Sequence, residues 1–201
     1  MIADGFAGRR VLVTGHTGFK GAWLTAWLAG AGAKVTGYSL APETDPNLWQ
    51  LLALDGVTSH IGDLNDRAAL DAAIAECQPE IVFHLAAQAL VRRSYREPVE
   101  TFASNVLGTV QVLDALRGVD GLQSVIVATS DKAYDNVEQV WGYRETDPMG
   151  GHDPYSASKG ATELAAAAMR SSFFGPEQPV RVATVRAGNV IGGGDWAEDR
   201  L

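Results

Sequence analysis

The amino-acid sequence predicts an α/β fold: a doubly wound, mostly parallel sheet with strand order 3-2-1-4-5-6. Three observations carry that expectation. Short apolar runs of strand length alternate with helical patterns along the whole chain, without repeats or low-complexity tracts. The first run leads straight into Gly15-x-x-Gly18-x-x-Gly21 and then a helical pattern. The polar clusters with chemical potential fall just after strands, at 15–21, 63, 86–88, 130–132 and 188–189. Those are the carboxyl ends of strands, where open parallel sheets bind ligands.

Taken in order, residues 9–14 form an apolar run suited to a buried strand. The helix after the glycine loop carries Trp23, Leu24, Trp27 and Leu28 at core spacing and ends near Gly30 and Gly32. Residues 34–40 make a second strand, 41–46 a proline-bearing loop and 47–54 a short helix. A third strand spans 57–61, a helix 66–77, and a fourth strand 80–87. Residues 98–117 read as one long helix with Val106, Val110, Leu113 and Leu116 along one side. The fifth strand covers 123–130. The polar loop 131–152 after it is long enough to suggest function. A helix then opens at Asp153-Pro154, an N-cap followed by proline in the first turn, and runs through an alanine-rich stretch. Residues 180–187 make the sixth strand, and the remainder is glycine-rich and then charged.

Composition narrows the class. With 201 residues, 46% apolar and 20% charged, the chain can bury a full core. A formal net charge of −8 argues against non-specific nucleic-acid binding, although local amides and single cations can still hold an anion. Cys77 is the only cysteine, which excludes an internal disulfide and disfavours a structural cysteine–metal site. Residues 1–8 lack the apolar core of a signal peptide, and no run reaches membrane-spanning length. A cytoplasmic location is the default expectation.

The glycine loop, placed between strand and helix, permits a tight turn and presents free helix amides to a pyrophosphate. Lys20, in that helix's first turn, either reaches solvent or pairs with a phosphate. About twenty residues on, where an acid would read the ribose of NAD, stands Tyr38-Ser39; Glu43 and Asp45 come later. No arginine or lysine follows that strand to meet a 2′-phosphate, so NAD is favoured over NADP. Asp63 reads equally as an acceptor for adenine or as a turn residue before Asn65-Asp66. Ser130-Asp131-Lys132 is either a polar strand exit or an acid and a base side by side. His84, inside an apolar strand, reads as core. Trp141 and Trp196, in loops, are better candidates for ligand or domain contact. Tyr155 and Lys159 share one helix face, where the ammonium would lower the phenol's pKa. On spacing alone the default reading of that pair is a surface contact.

Thr14-Gly15-x-x-Gly18-x-x-Gly21 with Tyr155-x-x-x-Lys159 resembles the extended short-chain dehydrogenase/reductase superfamily. Residues 11–21 (VLVTGHTGFKG), 84–95 (HLAAQALVRRSY), 129–136 (TSDKAYDN) and 188–200 (GNVIGGGDWAEDR) are similar to its CDP-glucose 4,6-dehydratase family, and the likeness covers nearly the whole chain. Lys132 discriminates best, because the related dTDP-glucose dehydratases carry glutamate there. Ala89 replaces a usual proline. The resemblance implies a Rossmann-like domain over 1–201 and a smaller nucleotide-sugar domain beyond it. It also implies a hydro-lyase in which tightly bound NAD relays a hydride within CDP-glucose. Tyr155 would act on the 4-hydroxyl, supported by Lys159; Lys132 would take the C5 proton and must be neutral to do so; Asp131 would protonate the departing 6-hydroxyl. Ser130, Gln88 and Asn189 would contact substrate, Asn189 at its pyrophosphate. Gly15, Thr17, Gly18, Phe19, Lys20, Gly21, Asp63, Leu64, Leu85, Ala86, Ala87, Asn105, Tyr155 and Lys159 would surround NAD, Asn105 as a structural asparagine. No metal is expected. A homodimer through the helices starting near 98 and 154 is. The rival readings are a nucleotide-sugar 4-epimerase, a dTDP-glucose 4,6-dehydratase, or an NAD-binding fragment of weak activity.

Overall fold

The computed structural model describes residues 5–175 and 180–198. Six parallel strands lie in the order β3-β2-β1-β4-β5-β6, as expected. They are β1 (Arg10–Thr14), β2 (Lys34–Ser39), β3 (Thr58–Ile61), β4 (Ile81–His84), β5 (Ser124–Ala128) and β6 (Arg181–Val185). The order reverses between β1 and β4, paired through Val11–Ile81 to Thr14–His84, and that reversal opens a crevice at the carboxyl ends of both.

Alternation along β1 builds the core on both faces of the sheet. Val11 and Val13 point with Val35 toward helix α1 (Phe19–Gly30), where they meet Leu28. Leu12 points the other way, with Val82 and Val125, toward Leu70 of α3 (Arg67–Cys77) and Leu113 of α6 (Gly108–Ala115). A strand buried on both sides must read as a continuous apolar run, and this one does.

Helix starts follow their caps. Asn47 accepts from the Gln50 amide at the head of α2 (Leu48–Leu52), and Asp66 accepts from Ala69 at the head of α3. Asp153 takes the Ser156 amide at 2.9 Å and opens α7 (Pro154–Phe173), with Pro154 in the first turn.

Two expectations are corrected. Trp23 and Trp27 are about half exposed. Helix α1 turns Gly21, Ala22, Thr25 and Leu28 inward, because small residues let it lie close on the sheet, and the indoles cover the outside. Residues 98–117 are not one uniform helix. They form α5 (Pro98–Phe102), a π-helical turn (Ala103–Leu107) and α6, preceded by a helix the periodicity did not reveal, α4 (Val91–Arg96). The last residues of the 188–200 stretch, 199 and 200, lie outside the described residues.

Candidate active site

The crevice floor begins where β1 ends. Gly15 has φ +77°, and a Cβ there would sit 2.6 Å from the Ala86 amide nitrogen. Only glycine allows both the turn and that approach. Helix α1 starts at Phe19 with Gly18 as an N-cap that has no side-chain acceptor, and its first turn carries no acid. Its first amides and the positive end of its dipole are therefore offered to an anion. Thr17 donates to the Leu40 carbonyl at 2.8 Å and meets the Ser39 hydroxyl at 2.8 Å, which ties the glycine loop to the end of β2. His16 turns down instead, against Gly37 and the edge of Trp49, and burial lowers its pKa to about 4.

Above this floor lies a cleft of about 580 Å³, within the usual range for small-molecule sites. Of the expected cofactor contacts, Gly15, Thr17, Gly18, Phe19, Lys20 and Gly21 line it, and so do Asp63, Leu64, Leu85, Ala86 and Ala87. Asp63 also makes the turn, accepting from the Asn65 amide at 2.8 Å. Tyr38 does not face the cleft: its hydroxyl donates to the Asp63 carbonyl at 2.7 Å within the core. On the rim Arg93 bridges Glu43 at 2.7 Å and Glu97 at 2.6 Å. Trp196 reaches the same wall, whereas Trp141 is exposed on the 131–152 loop.

Beneath the cleft a chain of buried hydrogen bonds runs from β1 to α7. The Ala86 amide donates to Thr14 Oγ1 at 3.3 Å, and Thr14 meets His84 Nδ1 at 2.7 Å. His84 Nε2 meets Thr109 Oγ1 at 3.0 Å, and Thr109 donates to the Asn105 carbonyl at 2.7 Å. This places the proton of a neutral imidazole on Nε2. Burial, then the nearby Lys159 charge, hold His84 at about 3, so it is neutral and structural. Asn105 sits in the π-helical turn. It accepts the Gln88 amide at 2.8 Å and donates to the Gln88 carbonyl at 3.0 Å and to Ser158 at 2.8 Å. The wider turn is what lets one side chain reach both β4's exit and α7. Gln88 lines the cleft, and its side chain bonds the Leu90 backbone and the Thr101 hydroxyl, so it braces α4 and α5.

Tyr155 and Lys159 face this polar core and are 8% and 4% exposed, which removes the surface-pair reading. Lys159 Nζ lies 6.0 Å from the Tyr155 ring centre and donates no hydrogen bond among the described residues. Burial, then the like charge of Lys20, bring it down to about 8, against the pull of Glu163. The sign of the linkage follows. Between pH 8 and 10.5 the unfolded chain holds this proton and the folded chain does not, so stability rises with pH there. Below pH 8 the fold carries the full penalty, about 3 kcal/mol. The protein without NAD should therefore become more stable at pH 7 when Lys159 is replaced by Met, by as much as about 3 kcal/mol. Urea midpoints measure this, and a loss of stability would contradict it.

Across from α7, Ser130 caps a 3-10 turn (Asp131–Ala133). Its hydroxyl accepts the Lys132 amide at 3.2 Å and meets Asp131 Oδ1 at 3.1 Å. The Asp131 amide holds the Ala187 carbonyl at 3.0 Å, pinning the turn to the exit of β6. The turn lies on α7 at Gly160, where a Cβ would meet the Ala133 carbonyl at 3.5 Å. Asp131 and Lys132 are exposed. Asn189 is likewise exposed after β6.

Residues 11–200 match the NAD dependent epimerase/dehydratase family. The chain belongs to that family. A curated member of it, the CDP-glucose 4,6-dehydratase of Salmonella typhimurium, is 57% identical over 199 residues, covering 96% of this chain and 55% of that protein. Among solved structures, an epimerase of Methanothermobacter thermautotrophicus superposes with TM-score 0.84 at 28% identity, over 96% of this chain and 55% of that one. A Thermus thermophilus UDP-glucose 4-epimerase in complex with NAD gives TM-score 0.76 at 30% identity, over 88% and 54%. The chain spans about half the length of the curated relatives it matches. NAD, the family's cofactor, fits the residues present. The uncapped amides of α1 suit its pyrophosphate, and the Lys159 ammonium, which donates no hydrogen bond among the described residues, could meet a ribose hydroxyl.

Proposed function

We propose that this protein converts CDP-D-glucose to CDP-4-keto-6-deoxy-D-glucose and water, with NAD held in the cleft. The observation that carries this reading is the packing of the turn bearing Asp131 and Lys132 on the helix bearing Tyr155 and Lys159. One set suits oxidation at a hydroxyl, and the other suits loss of water from the neighbouring carbons. The 57% identity to the Salmonella dehydratase supports the choice of CDP-glucose.

When bound, NAD supplies a reversible two-electron acceptor, so that C4 of the sugar is oxidised early and C6 is reduced at the end. The chain's own residues handle the protons. The Tyr155 hydroxyl oxygen takes the proton of the 4-hydroxyl, and the Lys159 ammonium beside it favours the phenolate. A ketone at C4 acidifies C5–H, and Lys132 Nζ takes that proton and returns one to C5 as C6 is reduced. Asp131 gives a proton to the departing 6-hydroxyl, held in place by the Ser130 hydroxyl. Asn189 binds the substrate pyrophosphate. Gly15 to Gly21, with Lys20, hold the cofactor pyrophosphate.

Incubation with NAD and CDP-glucose, followed by NMR of the sugar product, tests this. The 4-keto-6-deoxy sugar is expected. Formation of CDP-galactose, or a preference for dTDP-glucose, would overturn it. The same reading extends to a homodimer through α5 and α7, which expose Val99 (82%) and Leu164 (63%). A monomer by light scattering would contradict that extension.

A further inference from the structure

We propose that Glu163 is a positioning residue of the proton-transfer centre: it ties the Lys159 turn of α7 to the exits of β5 and β6 and keeps the ammonium beside Tyr155 charged. The catalytic consequence rests on the proposed dehydratase reading; the electrostatic one does not.

Tyr155, Lys159 and Glu163 follow one another at intervals of four on α7, so they share a face. Glu163 is 4% exposed, and its carboxylate is held entirely from outside its own helix. Thr129, which immediately precedes Ser130, donates to Oε1. Thr184 of β6 donates to Oε2 at 2.8 Å. Arg186, two residues before Gly188-Asn189, adds Nε to Oε1 at 3.0 Å and Nη2 to Oε2 at 3.1 Å. The three segments that carry the expected catalytic and substrate contacts are thus joined at one side chain. Packing alone does not call for a charge here, since apolar side chains can replace a buried ion pair without loss of stability. The carboxylate does what an apolar group could not. It offsets the repulsion of Lys159 by Lys20, while the Arg186 guanidinium is drawn aside over the Tyr134 ring, 4.8 Å from its centre.

The other groups around Lys159 do not take that role. His84 on β4 is neutral, and Asp131 and Lys132 on the 3-10 turn are exposed. On α4 Arg93 is paired with Glu43 and Glu97, and on α6 Asp114 is paired with Arg67 and Arg117. Glu100 of α5 accepts from Ser104 on the protein surface.

The test is the Lys159 titration in the full chain with NAD, followed by NMR of 13C-labelled lysine side chains and assigned with Lys159→Met. In Glu163→Gln the midpoint should fall below the wild-type value, and the alkaline limb of kcat should move down with it. KM should hold, and turnover at pH 8 should drop about fivefold if the shift reaches one unit. Glu163→Asp should restore most of the shift. Thr184→Val, which removes one hydrogen bond but no charge, should leave the midpoint in place. If Glu163→Gln does not fold, the double variant Glu163→Gln/Arg186→Met removes the whole ion pair and should show the same lowered midpoint. An unchanged midpoint in the glutamine variants, or an equal shift in Thr184→Val, would overturn the proposal. A wild type that binds NAD and does not dehydrate CDP-glucose would instead overturn the dehydratase reading, leaving the titration result to stand by itself.

Discussion

Tyr155→Phe should bind NAD as the wild type does and lose turnover of CDP-glucose by a factor of about 10³. The substitution removes one oxygen from a ring that is 8% exposed and whose backbone amide is anchored to Ser94 Oγ at 3.1 Å, so the helix start and the packing remain. What disappears is the phenol beside the buried Lys159 ammonium. No nearby group replaces it: Ser130 is committed to capping the 3-10 turn, and His84 is locked neutral between Thr14 and Thr109. The loss should fall on kcat, with KM little changed, because in the proposed mechanism the phenol acts on the reacting hydroxyl. Steady-state kinetics together with an NAD-binding titration measure it. Turnover within tenfold of wild type would mean that Tyr155 is not the base.

Arg186→Met should lower folding stability by about 3–5 kcal/mol, because Glu163 would keep a buried charge without the cation that is hydrogen-bonded to both of its oxygens. The pair is well shielded, at 13% and 4% side-chain exposure, so solvent screening does little for the orphaned carboxylate. Burial raises the Glu163 pKa, and hydrogen bonds from Arg186, Thr129 and Thr184 outweigh it, so that the carboxyl stays below its ordinary range. The same guanidinium reaches the Glu145 carbonyl at 3.4 Å and covers Tyr134, itself stacked on Tyr143 at 5.0 Å. Loosening should therefore extend into the loop that follows the Asp131 turn. Urea unfolding at pH 7 measures the loss, and Glu163→Gln/Arg186→Met should recover most of it. A single variant within about 1 kcal/mol of wild type would contradict this picture of the pair.

Much of this was legible before the fold was known, and the failures have physical reasons. Strand order and crevice followed from alternation and from the position of Gly15 to Gly21, because a buried parallel strand and a glycine turn leave little choice of local structure. The Asp153-Pro154 helix start held because capping is a local rule. Trp23 and Trp27 were misplaced because periodicity shows which residues share a face, not which face turns inward; Gly21, Ala22 and Thr25 took the close contact. Helix α4 stayed hidden because Val91-Arg92-Arg93-Ser94-Tyr95-Arg96 has no apolar stripe, being held by ion pairs and by Ser94. The π-helical turn has no sequence signature of its own and exists to carry Asn105 to Gln88 and Ser158. Glu163 could have been noticed, since it lies one turn beyond Lys159, but its partners Thr129, Thr184 and Arg186 come together only in three dimensions.

The most direct measurement is the fate of label in the product when CDP-[4-²H]glucose is supplied with NAD in ordinary water. The expected result is CDP-4-keto-6-deoxyglucose carrying deuterium at C6 and a solvent-derived hydrogen at C5. This would show that the C4 oxidation assigned to Tyr155 and Lys159 and the C5–C6 elimination assigned to Lys132 and Asp131 occur in one turnover. Deuterium retained at C4 in CDP-galactose, with C6 still hydroxylated, would contradict it and make the protein an epimerase.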